Sequence, residues 1–287
     1  MRAMKQTEDS NVSRPEASPL GKPVSYRSEY APDLLFPISR QLKREELGVR
    51  ADALPFSGVD LWNAYEISWL DPRGKPVVAL GTFTVPADSP FLIESKSLKL
   101  YLNSFNQSRF ASVAEVGELI ARDLSAAAGG MVGAELYSLS DSPQRRFGVP
   151  EGVLLDTLDV EIDMYRPEPR LLVADAGGDE VTETLYSHLL KSNCLVTGQP
   201  DWGTVAVRYQ GGRIDPVGLL RYVVSFRNHD EFHEQCVERI FCDIRERCRP
   251  RHLAVWARYT RRGGLDINPF RSDGYFEAPG NVFEIRQ

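Results

Sequence analysis

The sequence has little of what would place it in a specialised class. It never reaches the ~18 uninterrupted apolar residues that a membrane helix needs, and its first residues lack the apolar core of a secretion signal. A cytoplasmic protein is expected. Cysteine is scarce: Cys194, Cys236, Cys242 and Cys248 are the only four, all in the last third, and none forms a C-x-x-C pair. That spacing offers neither a zinc knuckle, a redox dithiol nor a disulfide framework. The G-x-G-x-x-G and G-x-x-x-x-G-K-[ST] loops are also missing, so any nucleotide must be held in another way. Positive charge is in deficit, with 34 Lys and Arg against 40 Asp and Glu, a net charge of -6. Such a balance weighs against a nucleic-acid backbone as main partner and favours a small ligand.

What is present describes an ordinary folded chain. Its 287 residues are 42% hydrophobic and 26% charged, enough for about two domains. Residues 1–23 are polar and contain Pro15, Pro19 and Pro23, so they are expected to form a flexible tail or surface strap. The turn-rich stretch 141–156, with Pro143, Gly148, Pro150 and Gly152, divides the rest into units 24–150 and 151–287.

In the first unit, β-rich stretches 60–69 and 77–85 flank the turn Asp71-Pro72-Arg73-Gly74 and predict a hairpin. Ile93, Leu98, Tyr101, Leu102 and Phe105 recur at helical spacing. A second helix starts at the capping box Ser112/Glu115, buries Val116, Leu119, Ile120 and Leu124, and stops at Gly129-Gly130 before a strand at 131–139.

The second unit repeats this order. The alternating run 158–165 predicts a half-buried strand, 181–190 is ambiguous between strand and helix, and 197–203 reads as a turn. A strand at 204–209, a helix from Asp215, a longer helix at 230–247 and a strand at 253–259 follow. Ser104-Phe105 with Phe110 parallels Ser225-Phe226 with Phe232, which indicates internal duplication. The expected class is α+β, with two β-β-α-α-β units.

Four groups of residues could carry chemistry. Cys194 precedes a turn instead of lying in a helix; as a nucleophile it needs a positive neighbour or a proton acceptor, for which Lys191 and Asp201 are candidates. The alternative is a small packing residue. His229, His233 and Glu234 lie near the start of the long helix and could form a recognition surface, the carboxylate accepting hydrogen bonds from an amidine-like base edge. The i, i+4 histidines could instead share a metal, although H-E-x-x-H is absent. Glu94, Lys96 and Lys99 crowd a helix start that could equally be a solvated face. Arg258, Arg261 and Arg262 with Gly263-Gly264 could grip phosphates, or simply end a strand in a turn.

Together these residues resemble a known family, the NADPH-dependent 7-cyano-7-deazaguanine reductases, nitrile reductases of the queuosine pathway. The resemblance rests on Glu94-Ser95-Lys96-Ser97-Leu98-Lys99-Leu100-Tyr101, on Cys194 through Gln199-Pro200-Asp201, on Phe232-His233-Glu234, and on Arg261-Arg262-Gly263-Gly264. It implies tandem tunnelling-fold units, an extended 181–190 segment and a homodimer. It also implies a covalent thioimide on Cys194, with Asp201 as proton donor. Leu92, Ile93, Glu94, His233 and Glu234 would contact substrate; Ser95, Lys96, Arg262 and Gly263 would contact NADPH; no metal is implied. A zinc-dependent pterin or purine cyclohydrolase of the same fold class, and a non-catalytic purine-binding module, are the competing readings.

Overall fold

The computed structural model of the chain describes residues 15–19, 21–22, 26–143 and 145–287. Most of the tail expected at 1–23 therefore lies outside the described residues. The strands are β1 (Pro37–Ser39), β2 (Ser57–Leu70), β3 (Pro76–Pro86), β4 (Phe91–Ile93), β5 (Gly133–Ser138), β6 (Val153–Leu154), β7 (Glu180–Asn193), β8 (Pro200–Gly212), β9 (His252–Tyr259) and β10 (Leu265–Ser272). The helices are α1 (Gln41–Arg44), α2 (Ser95–Asn103), α3 (Val113–Ala128), α4 (Pro216–Ser225) and α5 (His233–Cys248). Eight strands form one sheet in the order β5-β3-β2-β10-β9-β8-β7-β6, in which only the β6–β7 pair is parallel. The mixed α+β class with antiparallel pairing is as expected.

Each half packs its helices on the sheet because its strands alternate and its helices carry a 3.6-residue apolar stripe. Trp62, Ile67 and Phe83 of the first hairpin bury against Leu98, Tyr101, Phe105, Val116, Ile120 and Leu124. Val205, Val207 and Tyr209 bury against Leu219, Val223, Val237, Ile240 and Ile244 in the second half. Each such side chain contributes on the order of 1.5–3 kcal/mol through its removal from water.

The halves match in detail. Tyr101 donates to Asp123 (2.8 Å), as Tyr222 does to Asp243 (2.6 Å). Ser104 donates to Tyr101 O and Ser225 to Tyr222 O, both at 2.6 Å. Phe105 meets the Tyr101 ring edge-on at 5.2 Å, and Phe226 meets Tyr222 at 5.3 Å. β2 and β7 carry register shifts between Ala64 and Ile67 and between Ser187 and Leu190. Even the caps correspond: Glu94 accepts from the N–H groups of Lys96 and Ser97 at the start of α2, and Asp215 from those of Val217 and Gly218 at the start of α4.

Several boundaries differ from the sequence reading. Residues 158–165 form no strand; Leu158 and Val160 do pack on the core, but the backbone has no ladder partner, and alternation reports burial rather than pairing. Pro200 to Gly203 are the first residues of β8, not a turn, since Asn193 to Leu190 of β7 pair with them. The long helix starts at His233, which leaves His229 in the preceding link. In the capping box, Ser112 Oγ accepts from Glu115 N at 3.1 Å, while Glu115 reaches past Ser112 to accept from Ala111 N at 2.7 Å.

Candidate active site

The join between the halves is the pairing of β10 with β2, and the site sits above it. β4 is held by β1 and delivers Leu92 and Ile93 to the pocket wall. The chain then enters α2, where Glu94 is fully buried as the cap, accepting from Lys96 N at 2.6 Å and Ser97 N at 2.8 Å. Burial raises its carboxyl above the usual range, and those two N–H groups partly offset the rise.

From the other half, β7 ends in a tight loop. Cys194 N donates to Gln199 O at 2.8 Å and Gly198 N donates to Cys194 O at 2.9 Å, which fixes the thiol at the pocket wall, 5% exposed. β8 begins beside it and carries Asp201, buried opposite Ser192. Arg262 Nη1 lies 2.7 Å from Asp201 Oδ1 in a charge contact off the hydrogen-bond line, and His233 Nε2 lies 3.6 Å from the same oxygen. His233 opens α5 with its ring edge-on to Tyr259 at 4.1 Å. Burial pushes its imidazole down to about 4, against the pull of Asp201, so the ring is neutral at pH 7. Glu234 follows; burial pushes its carboxyl up to about 8, with Asp60 adding to the rise and Arg40 opposing it.

Thus Leu92, Ile93, Cys194, Asp201, His233, Glu234, Ser95 and Arg262 line one pocket, together with Trp62, Phe232 and Ile267. It is narrow: a cavity of about 10 Å³ is too small for a purine, so a ligand of that size enters only as lining side chains move. Next to it runs an open cleft of about 570 Å³ lined by Ser95, Lys96, Lys99, Arg262 and Gly263 with Lys22, Thr197 and Gln199. Ser95 and Arg262 border both spaces. Lys96 Nζ donates to the carbonyls of Pro19 (3.1 Å) and Lys22 (2.7 Å) at the rim of this cleft. The cationic side chains suit a phosphate-bearing cofactor.

Other candidates fall elsewhere. Lys191 donates to Asn193 and to Arg227 O rather than flanking Cys194. His229 bonds Glu231 at 2.9 Å, so the two histidines take different partners. Arg258 binds Asn281 and Gly280 O at a different cavity, and Arg261 stacks on Tyr65 at 4.7 Å. Of the three arginines, Arg262 alone reaches the site.

The sequence reading gives Lys99 a place in the Glu94 motif but no role of its own. Its ammonium interacts with Glu94, Asp201 and Cys194, while burial and then Arg262 lower its affinity for a proton. Helical spacing could have found it, since it lies one turn beyond Ser95. Gly263 has φ 59°, and a Cβ there would come within 3.2 Å of the Lys99 side chain.

Comparison with known proteins agrees with this geometry. A family model described as "Nitrile reductase, 7-cyano-7-deazaguanine-reductase N-term" matches residues 26–136, and one described as "QueF-like protein" matches 200–277. The chain is 71% identical to the NADPH-dependent 7-cyano-7-deazaguanine reductase of Azoarcus sp. (strain BH72) over 95% of its length and 96% of the relative. It is 67% identical to that of Dechloromonas aromatica (strain RCB), over 94% and 95%, and 59% identical to that of Cupriavidus pinatubonensis, over 96% and 100%. Similar to these reductases over nearly its whole length, and with the Cys194 thiol, Asp201 and Glu234 in one pocket beside a cationic cleft, the chain belongs to the 7-cyano-7-deazaguanine reductase family.

Proposed function

We propose that this chain uses NADPH to reduce the nitrile of 7-cyano-7-deazaguanine to the 7-aminomethyl product, as a step of queuosine biosynthesis. The observation that carries this reading is the meeting of Cys194 and Asp201 with Glu234 and His233 in one water-poor pocket that shares Arg262 and Ser95 with the cationic cleft.

A nitrile carbon is a poor hydride acceptor. The Cys194 sulfur adds to it, its proton passing to the nitrile nitrogen, and the resulting thioimide is more electrophilic. Bound NADPH supplies a hydride at two successive stages. Asp201 relays a proton from solvent to nitrogen once the carbon is reduced, and the C–S bond then breaks, returning the thiol and leaving an imine. Asp201 would relay the second proton in the same way as the second hydride completes the amine. The Lys99 side chain interacts electrostatically with Cys194, and the narrow pocket keeps water from the imine.

Glu234 and Glu94 hold the guanine-like edge, neutral His233 contacts the ring, and Leu92 and Ile93 line its face. Ser95, Lys96, Arg262 and Gly263 hold the cofactor, the cations suiting a 2′-phosphate. The matched Tyr–Asp, Ser and Phe contacts support two tunnelling-fold units, roughly 24–150 and 151–287, each donating part of the site. This reading makes the enzyme a cytoplasmic homodimer, which sedimentation checks for its subunit count.

The decisive experiment mixes the protein with 7-cyano-7-deazaguanine in the absence of NADPH and weighs the peptide containing Cys194. An adduct of substrate mass is expected, absent in Cys194→Ala. NADPH oxidation with an unmodified peptide would defeat the mechanism.

A further inference from the structure

Behind Glu234 lies a closed group of charges that the reaction does not use. Arg40 Nη2 donates to Asp60 at 2.6 Å, and Arg271 Nη1 donates to the other Asp60 oxygen at 2.7 Å. Arg271 and Arg44 donate to Glu238 Oε1 at 2.8 and 2.7 Å, and Arg44 Nε also holds its second oxygen at 2.9 Å. All five side chains are buried, 0–4% exposed. Three guanidiniums thus face two carboxylates, and one of their nitrogens has no hydrogen-bond partner: Arg40 Nη1, buried 3.9 Å from Glu238.

Glu234 stands one turn before Glu238 on α5, the spacing that puts both on one helix face. It is 2% exposed and makes no side-chain hydrogen bond to another described residue, yet it interacts electrostatically with Asp60, Arg40 and Arg271. As a third carboxylate it brings this group to neutrality. On its pocket side the titratable groups are His233, Cys194, Asp201 and Arg262. Asp201 and Arg262 already offset one another there.

We infer that Arg40, acting against Asp60, is a positioning residue for substrate recognition: its buried guanidinium, with one nitrogen left without a hydrogen bond, sets how readily Glu234 ionises to accept the donor edge of the deazaguanine. The inference rests on the reading of Glu234 as the base-binding carboxylate. Burial favours the protonated form of Glu234. Binding of the base supplies donors and releases a proton. Affinity therefore rises with pH until the free carboxyl is ionised, then levels. Removing the Arg40 charge moves that levelling to higher pH. Removing the Asp60 charge moves it lower. Loss of packing alone has no reason to move the two in opposite directions.

The test measures binding of 7-cyano-7-deazaguanine to the full chain carrying Cys194→Ala, which prevents the adduct, by calorimetry from pH 6 to 9. In that parent, affinity should improve about tenfold per pH unit below the levelling point. Adding Arg40→Met should raise that point by at least about one unit and weaken binding at pH 7 about tenfold, whereas Arg40→Lys, which keeps the charge, should stay close to the parent. Asp60→Asn should lower the point. If Arg40→Met does not fold, Asp60→Asn and Arg40→Lys decide. A levelling pH unmoved by Asp60→Asn, or moved the same way by both charge-removing variants, overturns the inference. Glu234→Gln separates the two readings: it should weaken binding and flatten the pH dependence, and binding as tight as the parent's would instead refute the role of Glu234 itself.

Discussion

At the residue scale, Asp201 and His233 make separable predictions. Asp201→Asn keeps the side-chain shape and removes the group that carries protons to the substrate, so it should still bind substrate but turn over at least about a hundredfold more slowly. Single-turnover kinetics checks this, and unchanged turnover would return Asp201 to a structural role. His233 is linked to stability through its neutrality. An unfolded imidazole titrates near 6.5 and the native one near 4, so between those values the unfolded chain binds more protons. Stability present above pH 6.5 is therefore lost as pH falls toward 4, by about 3 kcal/mol at most. Urea titrations at pH 7 and pH 4.5 should show the fall, and His233→Gln should remove that part of it. Cys194, Asp201, His233, Glu234 and Glu94 are all visible in the sequence as motif residues. Lys99 is visible only as part of a motif, because its role depends on how deeply its helix is buried.

At the element scale, the two capping carboxylates have parted in use. Asp215 caps α4 with Pro216 at its first position and lines a cavity that shares no residue with the pocket of the thiol. Asp215→Ala should cost about 1 kcal/mol of stability, measured by chemical unfolding, and leave kcat and KM as they are. Glu94→Ala removes a similar cap and, on the proposed function, a substrate contact, so stability and KM should both suffer. Caps and apolar stripes involve residues within about four positions of one another, which is why α2, α3 and α4 are legible in the sequence. The run 158–165 is not, since whether an extended segment gains a ladder depends on what passes beside it.

At the scale of the whole molecule, one long sheet carries both halves, and the buried charges bind its centre. Arg271 on β10 reaches Asp60 on β2 and Glu238 on α5, so one side chain ties the central strand to elements of both halves. Burial alone would raise Asp60 and Glu238, yet the arginines hold both carboxyls below their ordinary range. Arg271→Met leaves two buried carboxylates short of a cation and should destabilise the protein by about 3–5 kcal/mol. Equilibrium unfolding in urea checks it, and a loss below about 1 kcal/mol would show that the remaining arginines suffice.

The sequence by itself determined α2, α3 and α4 and the motifs that mark the family, because periodicity, caps and motifs are written in neighbouring positions. Only the tertiary structure decided that Leu92, Ile93 and Ser95 from one half meet Cys194 and Asp201 from the other, and that Arg262 rather than Arg258 or Arg261 joins them. Those contacts depend on β10 lying beside β2, a pairing between residues some two hundred positions apart. Burial there is what turns ordinary charged side chains into groups whose protonation depends on each neighbour.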